Sequence, residues 1–249
     1  MPSSPLSDAE MMLHYAEIEG ASFGDYYQRF RPSLLREKPF LWPYIEEAFQ
    51  SVFDRIGTRD TILDIGCGTA FYHPILSRFA RDIIGVDFSA SMLTKASQLR
   101  ELYEYSGSDF LVGDIRHMPI GSGSVDCVFS WDVLHHVTGK EGLKAVIREV
   151  YRVLKDGGYY VGFEPNILNP LMVAYCLIRP EEHGALFAHS LYLKRAFSRL
   201  FSATDIIPNN TIVSYVTEAN IPLVWGLGRV FQRKPLSLLS FRDILLARK

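Results

Sequence analysis

Three aspartates each stand directly after a short apolar run. Asp64 lies in Thr61-Ile62-Leu63-Asp64-Ile65-Gly66-Cys67-Gly68-Thr69-Ala70, Asp87 in Ile83-Ile84-Gly85-Val86-Asp87-Phe88-Ser89, and Asp114 in Leu111-Val112-Gly113-Asp114-Ile115. A carboxylate in such a place can accept from an ammonium group, from a pair of ribose hydroxyls or from an exocyclic amine. The first aspartate is followed by a glycine-punctuated turn, whose backbone N–H groups can bind an anionic ligand group where a strand hands over to a helix. Glycine tolerates positive φ there and admits a ligand close to the backbone. Alone, the same residues read equally as a tight turn with a capping acid. The run Gly66-x-Gly68-x-x-Phe71 puts a bulky aromatic where the dinucleotide fingerprint needs its third glycine, which disfavours a nicotinamide or flavin dinucleotide.

A fourth segment, Val125-Asp126-Cys127-Val128-Phe129-Ser130-Trp131-Asp132-Val133-Leu134-His135-His136, is an apolar run that enters a polar, aromatic loop. His135 or His136 could deprotonate an acceptor, or simply pack in that loop; histidine is the usual base near neutral pH. His73, beside Pro74, reads as structural, and the roles of His183 and His189 stay open. No histidine and carboxylate group has metal-ligand spacing along the chain, so no metal is expected. Cys67, Cys127 and Cys176 are far apart and odd in number, which suggests neither a zinc site nor a disulfide framework.

The elements that must hold these residues alternate from position 61 onward. Strands are expected at Thr61–Ile65, Asp82–Val86, Asp109–Val112, Val125–Ser130 and Gly158–Phe163. Helices are expected at Phe71–Ala80, Ser89–Leu102 and Lys140–Leu154. That alternation indicates βαβ units and a parallel sheet. Ser89 or Ser91 can cap the second helix, and Lys155-Asp156-Gly157-Gly158 predicts a glycine stop for the third. Before the first strand, helices are read from Ser7 or Asp8 to Ile18, over Gly24–Glu37 with a break at Pro32, and over Pro43–Ile56. Beyond Phe163 the pattern weakens. Ser190–Phe201 reads as an amphipathic helix, Thr204–Ile207 and Thr211–Val216 as one strand broken at Pro208 or a pair, and Phe241–Ala247 as a last strand. Ile221–Leu239 is apolar and loop-like and resists assignment to an element.

The whole chain of 249 residues is 48% hydrophobic and 22% charged, with a formal net charge of -2. These values suit a soluble globular protein and give no general pull toward nucleic acid. No basic n-region followed by an apolar h-region opens the sequence, and its apolar stretches are too short to span a bilayer. A cytoplasmic protein is expected.

Taken together, LDIGCGTA, IGVDFSASML, GDIRHMPIGSGSVDCVFSWDVLHHV and LKDGGYYVGFEPN resemble, in order and spacing, the motifs of class I S-adenosylmethionine-dependent methyltransferases. The "type 11" small-molecule subgroup is the most similar, and the resemblance covers about Thr61 to Glu164. It implies an α/β, Rossmann-like seven-stranded sheet, mostly parallel with one antiparallel strand, with helices on both faces. It implies S-adenosyl-L-methionine as cofactor, with Asp64, Gly66, Cys67 and Gly68 against its methionine part and Asp87 on the ribose hydroxyls. Phe88 would lie beside the adenine, Asp114 and Ile115 would read its edge, and Ser130 and Trp131 would floor the sulfonium. Ala70 stands where the family frequently has glycine.

The expected organisation is a helical leader over 1–58, able to act as a lid, and a methyltransferase domain over 59–249. Apolar substrate-side insertions fall around 164–203 and 217–240. The leader aromatics Phe23, Tyr26, Tyr27, Phe30 and Trp42, those insertions, and the basic Lys194, Arg195, Arg199, Arg229, Arg233 and Lys234 read either as the buried packing of a larger fold or as the pocket of a small-molecule or lipid-linked acceptor, with peripheral membrane contact as one hypothesis. Competing readings are a catalytically inactive, cofactor-binding partner subunit and a nicotinamide oxidoreductase. No nucleic acid partner is expected.

Overall fold

A computed structural model of the chain describes residues 33–105, 107–211, 216–231, 233 and 235–249. The helices read at Ser7–Ile18 and over most of Gly24–Glu37, with Phe23, Tyr26, Tyr27 and Phe30, lie outside these residues. Among those described, the order is α1 (Leu34–Glu37), α2 (Leu41–Ile56), β1 (Arg59–Ile65), α3 (His73–Leu76), β2 (Ala80–Asp87), α4 (Ala90–Tyr103), β3 (Ser108–Val112), β4 (Val125–Trp131), a 3-10 turn (Leu134–His136), α5 (Gly139–Val153) and β5 (Leu154–Pro165). There follow α6 (Pro170–Ile178), a 3-10 segment (Pro180–Leu186), α7 (Ser190–Phe197), β6 (Ala203–Asn209), α8 (Ile221–Phe231), a 3-10 turn (Leu236–Leu239) and β7 (Arg242–Arg248).

The strands form one seven-stranded sheet in the order β3-β2-β1-β4-β5-β7-β6. The pairs β2–β3, β1–β2, β1–β4 and β4–β5 are parallel, and β7 runs antiparallel to both its neighbours, β5 and β6. The order reverses between β1 and β4, which makes the carboxyl ends of those two strands the crevice where open α/β sheets take ligands.

Side chains alternate across each strand, so the sheet feeds two cores. Ile62, Ile83, Phe129, Val161 and Phe163 pack with α2 and α3 on one face. Leu63, Val86, Val128, Tyr160 and Leu245 pack with α5 and α7 on the other. The part of the leader seen here is core: Leu41, Ile45, Phe49 and Val52 of α2 are fully buried. Phe49 meets the rings of Phe129, Trp131 and Phe163 at centroid distances of 5.4–5.8 Å.

Several local readings are corrected. The segment read as a helix from Phe71 gives only the short α3, because Ala80 already belongs to β2. The α5 helix does not stop on glycine: its C-cap Leu154 is extended and opens β5, and Gly157, at φ 76°, lies inside that strand beside a register shift between Val125 and Cys127. The stretch Ile221–Leu239, read as loop-like, contains α8. Pro208 does not break β6, since that strand lies at the sheet edge, where the N–H that proline lacks costs no bond to a second neighbour. Much of Thr211–Val216 lies outside the described residues.

Candidate functional site

The glycine turn is pinned by β2: Val86 O accepts from Gly66 N at 2.7 Å and from Cys67 N at 3.2 Å. Gly66 and Gly68 have φ of 65° and 52°, a region that disfavours any residue with a Cβ. A Cβ on Gly66 would strike Val133 at 2.7 Å, whereas one on Gly68 would meet nothing within 4 Å. The turn is therefore closed on the side of the β4 loop and open at Gly68, as a backbone cradle for a ligand requires. Ala70 adopts φ 54°, which explains why glycine suits that position and puts a strain of roughly 1–2 kcal/mol on the alanine.

Asp64 is buried, and its Oδ2 lies 3.0 Å from His73 Nε2. His73, fully buried, places Nδ1 3.0 Å from Ser108 Oγ and stacks on Phe110 at 5.6 Å. Burial pushes the Asp64 carboxyl above its ordinary value, against the pull of His73. His73, read as structural, is thus the group that orients Asp64; its place beside Pro74 gave no sign of this. Burial, then the Asp64 and Asp87 carboxylates, push the Cys67 thiol well above its usual range, which disfavours the reactive thiolate.

Asp87 ends β2 and accepts from Gly68 N on Oδ2 and from Ser89 N on Oδ1, both at 2.9 Å. The aspartate thus ties the turn to the next helix. Phe88 next to it is 40% exposed, which leaves its ring a face for a flat ligand. Asp114 is different: Arg116 holds it with its backbone N at 2.8 Å, Nε at 2.9–3.0 Å and Nη2 at 2.7 Å. That pairing holds the Asp114 carboxyl below the usual range. An amine could reach it only by sharing it with, or displacing, Arg116, a partner the sequence reading missed. Ile115 packs at the edge of the α5 core.

Ser130 and Trp131 were paired as one floor, but adjacent strand residues face opposite ways. The Ser130 side chain is fully buried and its Oγ lies 2.8 Å from the Tyr160 hydroxyl, on the α5 side. Trp131 faces the other side, stacked between Tyr72 (4.2 Å, 24°) and Phe163 (4.2 Å, 10°). Tyr72 had no signal in the sequence beyond its aromaticity. Behind the tryptophan, Asp132 and Arg242 form a half-buried ion pair with Nη2–Oδ2 at 2.5 Å.

His135 is buried with both ring nitrogens engaged: Nδ1 lies 2.5 Å from Glu164 Oε2 and Nε2 lies 3.1 Å from Glu182 Oε2. Burial alone would lower its pKa, but Glu164 and then Glu182 overcome that and hold it pushed up to about 10. An imidazolium clamped between two carboxylates cannot take a proton from an acceptor. The arrangement therefore does not supply the base expected of His135. His136 follows it on the same turn, its ring 4.0 Å away. Along the chain these residues show no metal spacing, yet the fold brings ligand atoms of His135, His136 and Glu182 within 4.8 Å of one another. The reason is the 3-10 segment of the first insertion. A Cβ on Gly184 would lie 1.7 Å from His135 O, so only glycine lets that segment pack so closely on the histidine turn.

An open glycine cradle, an aspartate at the end of β2 and an exposed ring beside it, all at the switch point, fit S-adenosylmethionine. Comparison with known proteins agrees. A methyltransferase-domain family model matches residues 63–162. The chain is 33% identical over 112 residues to a sterol 24-C-methyltransferase of Pneumocystis carinii, covering 44% of this chain and 29% of that one. It is 34% identical over 101 residues to a malonyl-[acyl-carrier protein] O-methyltransferase of Yersinia pestis, covering 41% and 35%. A probable S-adenosylmethionine-dependent methyltransferase of Mycolicibacterium smegmatis is 26% identical over 132 residues, covering 53% and 48%. The chain thus spans less than half the length of these relatives. Among solved structures, the N-methyltransferase NodS of Bradyrhizobium japonicum in complex with S-adenosyl-L-homocysteine superposes with a TM-score of 0.59 at 14% identity, covering 94% of this chain and 96% of that one. At that identity the likeness is one of fold.

Proposed function

We propose that this chain, a class I S-adenosylmethionine-dependent methyltransferase by its domain over residues 63–162, moves a methyl group to a small-molecule or lipid-like acceptor. The observation that carries the cofactor half is the joined turn, in which Gly68 N donates to the same Asp87 that ends β2. When bound, S-adenosylmethionine supplies a methyl group already activated on sulfonium. The chain then has to orient, and needs no nucleophile of its own; positioning alone can contribute roughly 7–11 kcal/mol. In this reading Asp64, held by His73, faces the ammonium end, Asp87 takes the ribose hydroxyls, Phe88 lies on the adenine, and Trp131, held between Tyr72 and Phe163, walls the transfer site against water.

The acceptor half rests on the insertions. Leu171, Ile178 and Phe187 on the first, and Leu223, Leu227 and Leu238 on the second, are exposed, and Arg229 beside them is anchored by Glu47 at 2.9 Å. Large apolar side chains left in water mark a surface with an apolar partner. The sterol and acyl-carrier-protein methyltransferases among the relatives support the same acceptor class. No helix among the described residues is long and apolar enough to cross a membrane.

Calorimetric titration with S-adenosylhomocysteine tests the cofactor half. Asp87→Ala should weaken binding about 10- to 100-fold by removing a charged acceptor from two hydroxyls, about 1.5–3 kcal/mol. Unchanged affinity would remove Asp87 from the site. Mass spectrometry of cell extracts incubated with labelled cofactor would identify the acceptor; label entering only polar polymers would exclude a small or lipidic one.

A further inference from the structure

The histidine turn after β4 has more built around it than methyl transfer requires. His135 and His136 are consecutive on one 3-10 turn, and Glu182 reaches them from an insertion 46 residues downstream of His136. The first histidine is oriented from behind. Glu164 Oε1 accepts from Leu134 N at 2.8 Å, which fixes the carboxylate, and its Oε2 takes His135 Nδ1. A hydrogen bond at Nδ1 leaves Nε2 as the ligating nitrogen, and that atom is the one directed at Glu182. A carboxylate behind a histidine, with a second histidine and a carboxylate in front, is the arrangement that orients metal-binding imidazoles.

We propose that His135 Nε2, His136 and the Glu182 carboxylate bind a divalent transition metal of zinc type, with Glu164 positioning His135. Bonds of about 2.0–2.2 Å to nitrogen and oxygen in a tetrahedron put ligand atoms about 3.3–3.5 Å apart. The 3.1 Å between His135 Nε2 and Glu182 Oε2 needs only a slight opening to reach that edge. Charge agrees as well: two carboxylates, Glu164 and Glu182, converge on the histidine turn, while the neighbouring Arg242 is matched by Asp132. A divalent ion would balance the two carboxylates. Three protein ligands leave one position for water or for an acceptor oxygen. The ion would also lock the first insertion onto the sheet, since the ligands come from both.

The test uses the full chain after chelator treatment, titrated with cobalt(II) alone and then with zinc(II), with visible absorption and metal content by mass spectrometry as readouts. One ion per chain is expected, with intense tetrahedral cobalt bands that zinc bleaches. His136→Ala and Glu182→Gln should each weaken binding at least 100-fold, and Glu164→Gln 10- to 100-fold, while exposed His117→Ala leaves it unchanged. Circular dichroism and S-adenosylhomocysteine affinity of each variant report folding and the methyltransferase site separately. Glu182→Gln, which keeps side-chain size, carries the result if His136→Ala unfolds. Substoichiometric metal, or binding that survives Glu182→Gln, overturns the proposal and leaves His135 as the centre of an ion-pair clamp.

Discussion

The pairing of His73 with Asp64 can be measured by a double-mutant cycle. His73→Phe keeps the ring stack on Phe110 and removes both ring nitrogens; Asp64→Asn removes the charge and keeps the shape. In the wild-type chain His73 makes two side-chain hydrogen bonds, to Asp64 and Ser108, each at 3.0 Å and wholly within the core. Each contributes about 0.5–1.5 kcal/mol net, and a buried carboxyl left without its partner adds about 1–3 kcal/mol. His73→Phe should therefore destabilise by about 2–6 kcal/mol, or roughly 4–24 °C in Tm for a domain of this size. In the Asp64→Asn background the same change should cost less, because the stranded group is no longer a carboxylate, with a coupling of about 1–3 kcal/mol. Urea unfolding of the four proteins gives each value. Coupling below about 0.5 kcal/mol would show that the two side chains are near but energetically independent, and the orienting role of His73 would fall.

Two further outcomes follow from the same geometry. Gly68→Ala should cost the chain only about 1–2 kcal/mol of backbone strain at φ 52°, since its Cβ meets no protein atom. S-adenosylhomocysteine affinity should still drop more than tenfold; an affinity loss no greater than that of a control turn glycine such as Gly123 would place the cofactor elsewhere. Glu149 accepts from Arg152 at 2.7 Å and from Met118 N at 2.9 Å, which holds its carboxyl below 4.5. A carboxylate lowered in the folded state stabilises above its unfolded value of 4.5 and loses that contribution as the pH falls through the folded value. Glu149→Gln should be about 1 kcal/mol less stable at pH 7, after allowance for screening of the half-exposed Arg152, with the gap closing below pH 4.5. A gap that stays constant from pH 7 to 3 would refute this.

The sheet from β1 to β5 was legible because its strands are short apolar runs punctuated by acids and glycines, with helices of expected length, α4 and α5, between β2 and β3 and between β4 and β5. The last strand was legible for the same reason, displaced by one residue. The α8 helix was not, since Pro222, Gly226 and Gly228 within eleven residues hide a helical period that packing of Trp225 on Tyr44 at 5.7 Å restores. At the site, the acids announced themselves by position. Their partners did not: Arg116 is two residues from Asp114, and Glu164 and Glu182 stand 29 and 47 residues from His135. Sequence spacing cannot register a contact made by an insertion folding back. The joint role of Ser130 and Trp131 failed on strand alternation, a rule that was available from the residues alone.

The seating of β7 between β5 and β6 also bears on how the chain is made. A ribosome releases residues in order, so β5 emerges with its outer row of N–H and C=O groups exposed, and β6 emerges with no strand to join. Neither finds its neighbour until residue 248 has left the exit tunnel, more than eighty residues after β5 is complete. During that interval the nascent sheet ends on an open edge of the kind that pairs with other chains. Synthesis of this chain should therefore depend on chaperone protection of that edge until β7 is available to pair.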